Sequence, residues 1–187
     1  MTKSPAVVGE RMDPAIPELD VALPGVDQVA VVVEDLQDGV DRYRAILGVE
    51  EWAIHRFEPP ALTDTTYRGE DVEYGMWLAL GEAGDTQIEL IEPTMGETIY
   101  HDHLAEHGEG LHHVAYFGWE PAEAEAVVAE FVDAGMPVLQ RGHIGGVEFV
   151  YLDTAEQLNG VIFETSIRRG ELDLEPAAVY PDDPFPT

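Results

Sequence analysis

Two stretches of the chain share one hydrophobic pattern. Val26-Asp27-Gln28-Val29-Ala30-Val31-Val32-Val33 is rich in β-branched residues, and Leu111-His112-His113-Val114-Ala115-Tyr116-Phe117 has the same shape, with His113-Val114-Ala115 lying over Gln28-Val29-Ala30. Runs of this kind read as buried strands. A helix is predicted after each. In the first copy Asp35 suits the N-cap, Leu36, Val40, Tyr43 and Leu47 recur at helical spacing, and Gly48 stands where a left-handed residue ends a helix. In the second, Pro121 suits the first turn, Val127, Val128, Phe131 and Val132 make the apolar face, and Gly135 closes it. Strand-like segments follow: Gly75–Leu80 and Thr86–Ile91 in the first half, Gly146–Leu152 and Gly160–Ile167 in the second. Ala53–Tyr67 reads as one further strand plus a loop, and Glu97–His107 as a linking helix.

Four polar residues interrupt these strands at repeating positions. Gln28 and His113 occupy the same place in the two leading strands, and Glu89 of Gln87-Ile88-Glu89-Leu90-Ile91 corresponds to Glu164 of Val161-Ile162-Phe163-Glu164-Thr165. Side chains alternate faces along a strand. If Val29, Val31 and Val33 pack beneath a helix, Gln28, Ala30 and Val32 face away from it. By the same rule Val114 and Tyr116 oppose His113, Ala115 and Phe117, and all four polar groups can share one concave surface. Two buried carboxylates facing each other are costly unless protonated or bound to a cation. A divalent metal resolves that conflict. An amide oxygen, an imidazole and two carboxylates suit Zn, Co, Ni, Mn or Fe in five or six coordination.

The remaining segments read differently. Residues 1–24, with Pro5, Pro14, Pro17 and Pro24, form an N-terminal arm. Residues 25–95 are a first module, 96–110 a linker and 111–169 a second module. Residues 170–187, with four prolines and several acids, are a tail unfit for a central strand or a long helix, either disordered or packed along a neighbouring subunit.

Charge narrows the partners. The 187 residues include 38 acidic and 9 basic side chains, a net charge of −29, which excludes the basic footprint that nucleic acid or anionic lipid requires. No apolar run approaches the ~20 residues of a membrane span. No cysteine is present, so disulfides, thiolate metal sites and cysteine nucleophiles are excluded, and a reducing cytoplasm is the expected location. The acidity also fits a salt-rich environment, where the Debye length falls to about 3 Å near 1 M.

Residues 25–168 resemble the vicinal oxygen chelate superfamily, which includes glyoxalase I, methylmalonyl-CoA epimerase, extradiol dioxygenases and bleomycin-resistance proteins. The resemblance is carried by the Val26–Val33 run, by Tyr43-Arg44-Ala45-Ile46-Leu47-Gly48, by Ile88-Glu89-Leu90-Ile91-Glu92-Pro93, and by Gly108-Glu109-Gly110-Leu111-His112-His113-Val114-Ala115, the last being most similar to methylmalonyl-CoA epimerase. It implies an α+β fold: two tandem βαβββ modules forming a curved, cup-like mixed sheet with helices outside and one divalent metal in the cup. The first ligand of that family is usually histidine; here Gln28 stands in its place, as in the Gln, Glu, His, Glu set of animal-type glyoxalase I. Gln28, Glu89, His113 and Glu164 are the implied ligands. Extradiol dioxygenase chemistry, which uses two histidines and one glutamate, fits less well.

The implied chemistry is removal of a proton next to a carbonyl, with Glu164 as principal base and Glu89 as second acid/base. A metal-dependent isomerase or epimerase resembling methylmalonyl-CoA epimerase is the first reading. A glyoxalase I-type lactoylglutathione lyase and a metal-free small-molecule binder of the bleomycin-resistance type are the alternatives. The expected partners are a small carbonyl or thioester substrate and a second copy in a homodimer. Coenzyme A needs cations, and Arg42, Arg44, Arg56, Arg68 and Arg141 serve only if they cluster at the mouth of the cup; Arg42 and Arg44 read instead as helix residues pairing with acids. Tyr74, Met76, Trp77 and Phe149 are candidates for an apolar pocket. His112 is expected on the opposite sheet face from His113, His143 on a loop near the cup, and His101, His103 and His107 on the linking helix.

Overall fold

The computed structural model describes residues 17–172 and 175–186. Of the arm and tail, residues 1–16, 173, 174 and 187 therefore lie outside the described residues. The first half runs β1 (Gln28–Val32), α1 (Leu36–Leu47), β2 (Trp52–Phe57), β3 (Leu62–Tyr67), β4 (Glu70–Asp71), β5 (Gly75–Ala83) and β6 (Thr86–Met95). After α2 (Ile99–His107), the second half runs β7 (Gly110–Tyr116), α3 (Pro121–Asp133), β8 (Val138–Ile144), β9 (Val147–Leu152) and β10 (Ile162–Arg168), and β11 (Ala178–Tyr180) follows.

These strands make one sheet in the order β11-β2-β5-β6-β1-β7-β10-β9-β8-β3-β4. The middle of that order is symmetric. β2-β5-β6-β1 repeats as β8-β9-β10-β7, and β1 and β7 meet antiparallel at the centre. Each leading strand pairs in parallel with the last strand of its own half, β1 with β6 and β7 with β10. The sheet is therefore mixed and curls into a half-barrel, the α+β cup that the resemblance implies.

The caps behave as the sequence requires. Asp35 accepts from the Asp38 amide at 2.8 Å, and Gly48 ends α1 at φ 72°. Pro121 opens α3 behind a capping box made by Glu120 and Glu123. Both helices cover the convex face: Val33, Leu36, Val40, Trp52 and Leu90 form the core under α1, and Val127, Phe131, Val150 and Phe163 the core under α3. Val132 and Leu47 differ from the expected stripes. They are 41% and 60% exposed, because each stands at the last turn, where the helix surface rotates away from the sheet.

Two excursions close the sheet edges, and both differ from the expected layout. Within Ala53–Tyr67 the expected loop is largely a second strand, β3, which leaves its own half and pairs with β8 of the other. At Ala178–Tyr180 the tail is ordered as a short strand within its own chain. It returns as β11 on the free edge of β2, with Tyr180 Oη donating to Asp41 at 3.0 Å. A proline-bearing segment tolerates that position because an outer strand need not offer every amide. Leu19 and Val21 of the arm pack against the α3 core.

Candidate metal centre

The four candidate residues come from one chain and from four adjacent strands, β6, β1, β7 and β10. Strand register sets them in two rows. Glu89, Ala30, His113 and Ile162 are successive partners in one, and Gln87, Gln28, Ala115 and Glu164 in the next. An alanine thus stands between Glu89 and His113, and another between Gln28 and Glu164. Alternate strands are about 10 Å apart. Ala30 and Ala115, both fully buried, leave that gap to the long side chains on either side.

Those side chains converge. His113 Nε2 lies 2.9 Å from Glu164 Oε2 and 3.3 Å from Glu89 Oε2, and the three residues offer ligand atoms all within 4.8 Å of one another. His113 is wholly buried and the carboxylates nearly so. Yet His113 Nε2 and Glu164 Oε2 are buried atoms without a properly aligned hydrogen bond. Donor atoms that approach without aligning to one another point at a shared centre. That arrangement, with two carboxylates and an imidazole out of water, fits a divalent cation.

Gln28 lines the same cavity, and its amide is oriented by a relay. Gln28 Nε2 donates to Gln87 Oε1 at 2.8 Å, and Gln87 Nε2 donates to Glu82 Oε1 at 3.1 Å. A carboxylate only accepts, so Glu82 fixes the amide of Gln87, which fixes that of Gln28. The carbonyl oxygen of Gln28 is left as the atom available to a cation.

The electrostatics match this geometry. Burial drives His113 toward the neutral imidazole, but the charges of Glu164 and Glu89 outweigh it and hold its pKa up at about 9. Burial raises the Glu89 carboxyl above the ordinary carboxylate range, with His113 opposing. Each is the response of a cation site when a proton fills it.

A small cavity of about 100 Å3 opens over the group. Phe57, Met76, Leu78, Phe117, Phe149 and Tyr151 supply its apolar walls. Tyr100, projecting from α2, lines it too and hydrogen-bonds Tyr151 hydroxyl to hydroxyl at 2.8 Å, so the linking helix seals one end of the cup.

Several residues stand elsewhere than the period-two rule predicts. His112 is not on the opposite face: β7 bulges against β1 between the partners of Ala30 and Val31, and the additional residue, His112, packs on Tyr100 and Tyr151 beside His113. Trp77 belongs to the convex core rather than the cup, one residue out of phase with Met76. Tyr74 is core, its hydroxyl donating to the Arg141 carbonyl. His143 lies within β8, not on a loop over the cup, 3.5 Å from Glu148. The arginines do not cluster at the mouth. Arg42 pairs with Glu109, Arg56 with Glu58, Arg68 with Asp102 and Arg141 with Glu148, while Arg44 donates to the Glu50 carbonyl and lies over the Tyr180 ring. Among the described residues the cation that does reach the cavity is Arg168, which the sequence reading missed. The signal was present, since residues 164, 166 and 168 share one face of a strand.

Comparison with known proteins agrees with the fold. The family model of the glyoxalase/bleomycin resistance protein/dioxygenase superfamily matches residues 27–151, which includes Gln28, Glu89 and His113 and stops before Glu164. No curated protein sequence matches. Among solved structures, a hypothetical protein from Bacillus halodurans is 20% identical with a TM-score of 0.58, covering 79% of this chain and 96% of its own. Methylmalonyl-CoA epimerase from Mycobacterium tuberculosis is 17% identical with a TM-score of 0.57, covering 80% and 91%. A Streptomyces coelicolor methylmalonyl-CoA epimerase variant, in complex with 2-nitronate-propionyl-CoA, is 24% identical with a TM-score of 0.52, covering 82% and 99%. With the matched family model spanning most of the repeated strands and the cup closing over a buried Glu–His–Glu group, the chain belongs to the glyoxalase/bleomycin resistance protein/dioxygenase superfamily.

Proposed function

We propose that the protein is a metal-dependent isomerase or epimerase that moves a proton at a carbon next to a carbonyl. The observation that carries this reading is the pair of buried carboxylates, Glu89 and Glu164, one from each half of the fold, converging on His113 Nε2. Gln28, Glu89, His113 and Glu164 would hold one divalent ion, of zinc, cobalt, nickel, manganese or iron. When bound, that ion supplies a Lewis acid for the carbonyl oxygen and stabilises the negative charge that develops there.

The chain's own groups would do the rest. Glu164 takes the proton from the carbon, and Glu89, arriving from the far side of His113, returns one to the opposite face. The aromatic walls keep bulk water off the carbanion. Methylmalonyl-CoA epimerases among the structural neighbours support this choice within the superfamily. The second reading, a glyoxalase I-type lyase, is favoured by one observation: a glutamine, not a histidine, occupies the first ligand position.

The test is deuterium exchange at the carbon next to the carbonyl, by metal-loaded protein offered methylmalonyl-CoA and the small chiral oxo acid 3-methyl-4-oxopentanoate in turn, run beside a hemithioacetal assay. Exchange with inversion supports the epimerase, and hemithioacetal turnover the lyase. A purified chain that neither retains nor responds to any divalent ion overturns both in favour of a binding protein.

A further inference from the structure

We propose that the substrate carries a single carboxylate, seized by Arg168 at the mouth of the cup, and that the site selects small oxo acids over coenzyme A esters. This rests on the proton-transfer reading above and names the substrate class for it. Among the described residues, Arg42, Arg56, Arg68, Arg141 and Arg169 each lie within 4 Å of a carboxylate. Arg168 has no such partner among the described residues, in a chain of net charge −29. It lines the metal-site cavity instead. Its Nε–H donates to Ser166 Oγ at 3.1 Å, and its guanidinium lies over the Phe117 ring at 5.2 Å. Those two contacts hold the plane of the guanidinium and leave its terminal nitrogens to a ligand. A planar fork of N–H donors matches one carboxylate in two-point contact.

Strand β10 supplies the scale. Phe163 and Ile167 belong to the convex core, whereas Glu164 and Ser166 face the cavity with Arg168. Four residues of strand at about 3.3 Å each separate the Glu164 and Arg168 backbones by about 13 Å. Both residues line the one cavity, so a carbonyl at Glu164 and a carboxylate at Arg168 would be the two ends of a short acid. The cavity of about 100 Å3 admits a compact body. The several phosphates of coenzyme A would meet, among the described residues that line this cavity, a single arginine on a strongly negative surface.

The experiment measures binding of 4-oxopentanoate, 5-oxohexanoate and 7-oxooctanoate, each against its methyl ester, to wild-type protein and to Arg168→Gln, by calorimetry or ligand-observed NMR. The wild type should favour acid over ester by about ten- to hundredfold for the best-fitting length, as expected of a charged hydrogen-bonded pair. Arg168→Gln should erase that preference while ester affinity and metal content stay unchanged. Equal binding of acid and ester, a preference that survives Arg168→Gln, or tighter binding of methylmalonyl-CoA independent of Arg168 overturns the proposal. The preference is read on metal-free protein as well, because an arginine binds an anion without help. Failure to hold metal would therefore overturn the proposed function while leaving the carboxylate preference standing.

Discussion

His112 Nδ1 and His113 Nδ1 lie 2.8 Å apart, so one proton must sit between two neighbouring residues of the same strand. His113 turns its other nitrogen toward Glu89 and Glu164. If that nitrogen offers its lone pair to a cation, Nδ1 of His113 carries the proton and His112 accepts it. His112 suits the role, because burial and the neighbouring His113 and His103 push its pKa well below the ordinary range and keep it neutral. Replacing His112 with phenylalanine keeps an aromatic ring against Tyr100 and Tyr151 but removes the acceptor. Metal affinity should fall about ten- to hundredfold, with the far-ultraviolet spectrum unchanged. An unaltered dissociation constant would reduce His112 to a space filler.

The same imidazole makes metal binding depend on pH. In metal-free protein His113 titrates near 9, against an ordinary value of 6.5, because Glu164 and Glu89 outweigh the effect of burial. At neutral pH a cation therefore displaces a proton from the site. Calorimetry in two buffers of different ionisation enthalpy should find proton release on binding, and affinity should climb with pH until about 9. Stability follows the opposite course in the metal-free chain. A folded pKa raised above the unfolded one contributes stability that is complete below about 6.5 and lost as pH rises through about 9. Glu89, also raised, acts in the same direction. Bound metal should flatten that decline, and parallel pH profiles with and without metal would refute the assignment.

Ala30 and Ala115 test the geometry without touching a ligand. Each stands between two candidate ligands on neighbouring strands and is fully buried. Ala115→Leu would put its branch where Gln28 and Glu164 approach each other. Overpacking of this kind costs about 1–3 kcal/mol, which a domain of this size registers as a fall of roughly 2–12 °C in melting temperature. Metal retention should be lost in protein that still melts cooperatively. Full metal content in that variant would show that the ligands do not meet over this residue.

The repeat, both helix caps and the convergence of Glu89, His113 and Glu164 were legible because they depend on local rules: strand alternation, cap chemistry, and one motif used twice. What escaped depended on events between distant strands. The bulge at His112 is a mismatch between β1 and β7, and no feature of β7 alone marks it. The move of β3 to the far edge at β8 and the return of β11 to β2 are edge pairings, which periodicity does not encode. Arg168 obeys the alternation rule, but at the exposed end of β10 nothing in the sequence sets it apart from an arginine facing water.

The edge strand β11 should contribute to stability rather than to the site. Ala178, Tyr180 and Phe185 pack into the core under α1, beside Trp52 and Ile54. Removing residues 175–187 exposes that edge and some of its apolar cover, a loss of about 2–4 kcal/mol if the three side chains are counted as partly buried. The melting temperature should drop by several degrees while metal stoichiometry is preserved, since no candidate ligand touches β11. Loss of the metal on truncation would tie the tail to the cup.

Salt should stabilise the chain, and the reason is quantitative. Thirty-eight acids face nine cations, and among the described residues five of the arginines are already engaged by carboxylates, so most of the acidic charge has no counter-ion from the protein. Folding draws those charges together. Raising ionic strength from about 0.1 M to 1 M shortens the Debye length from about 10 Å to about 3 Å and relieves most of that repulsion. Potassium chloride separates this effect from the general strengthening of apolar burial that sulfate brings. The melting temperature should rise steeply up to about 1 M chloride and level off once screening is complete. A profile flat from low to molar chloride would show that the acidic surface costs the fold nothing.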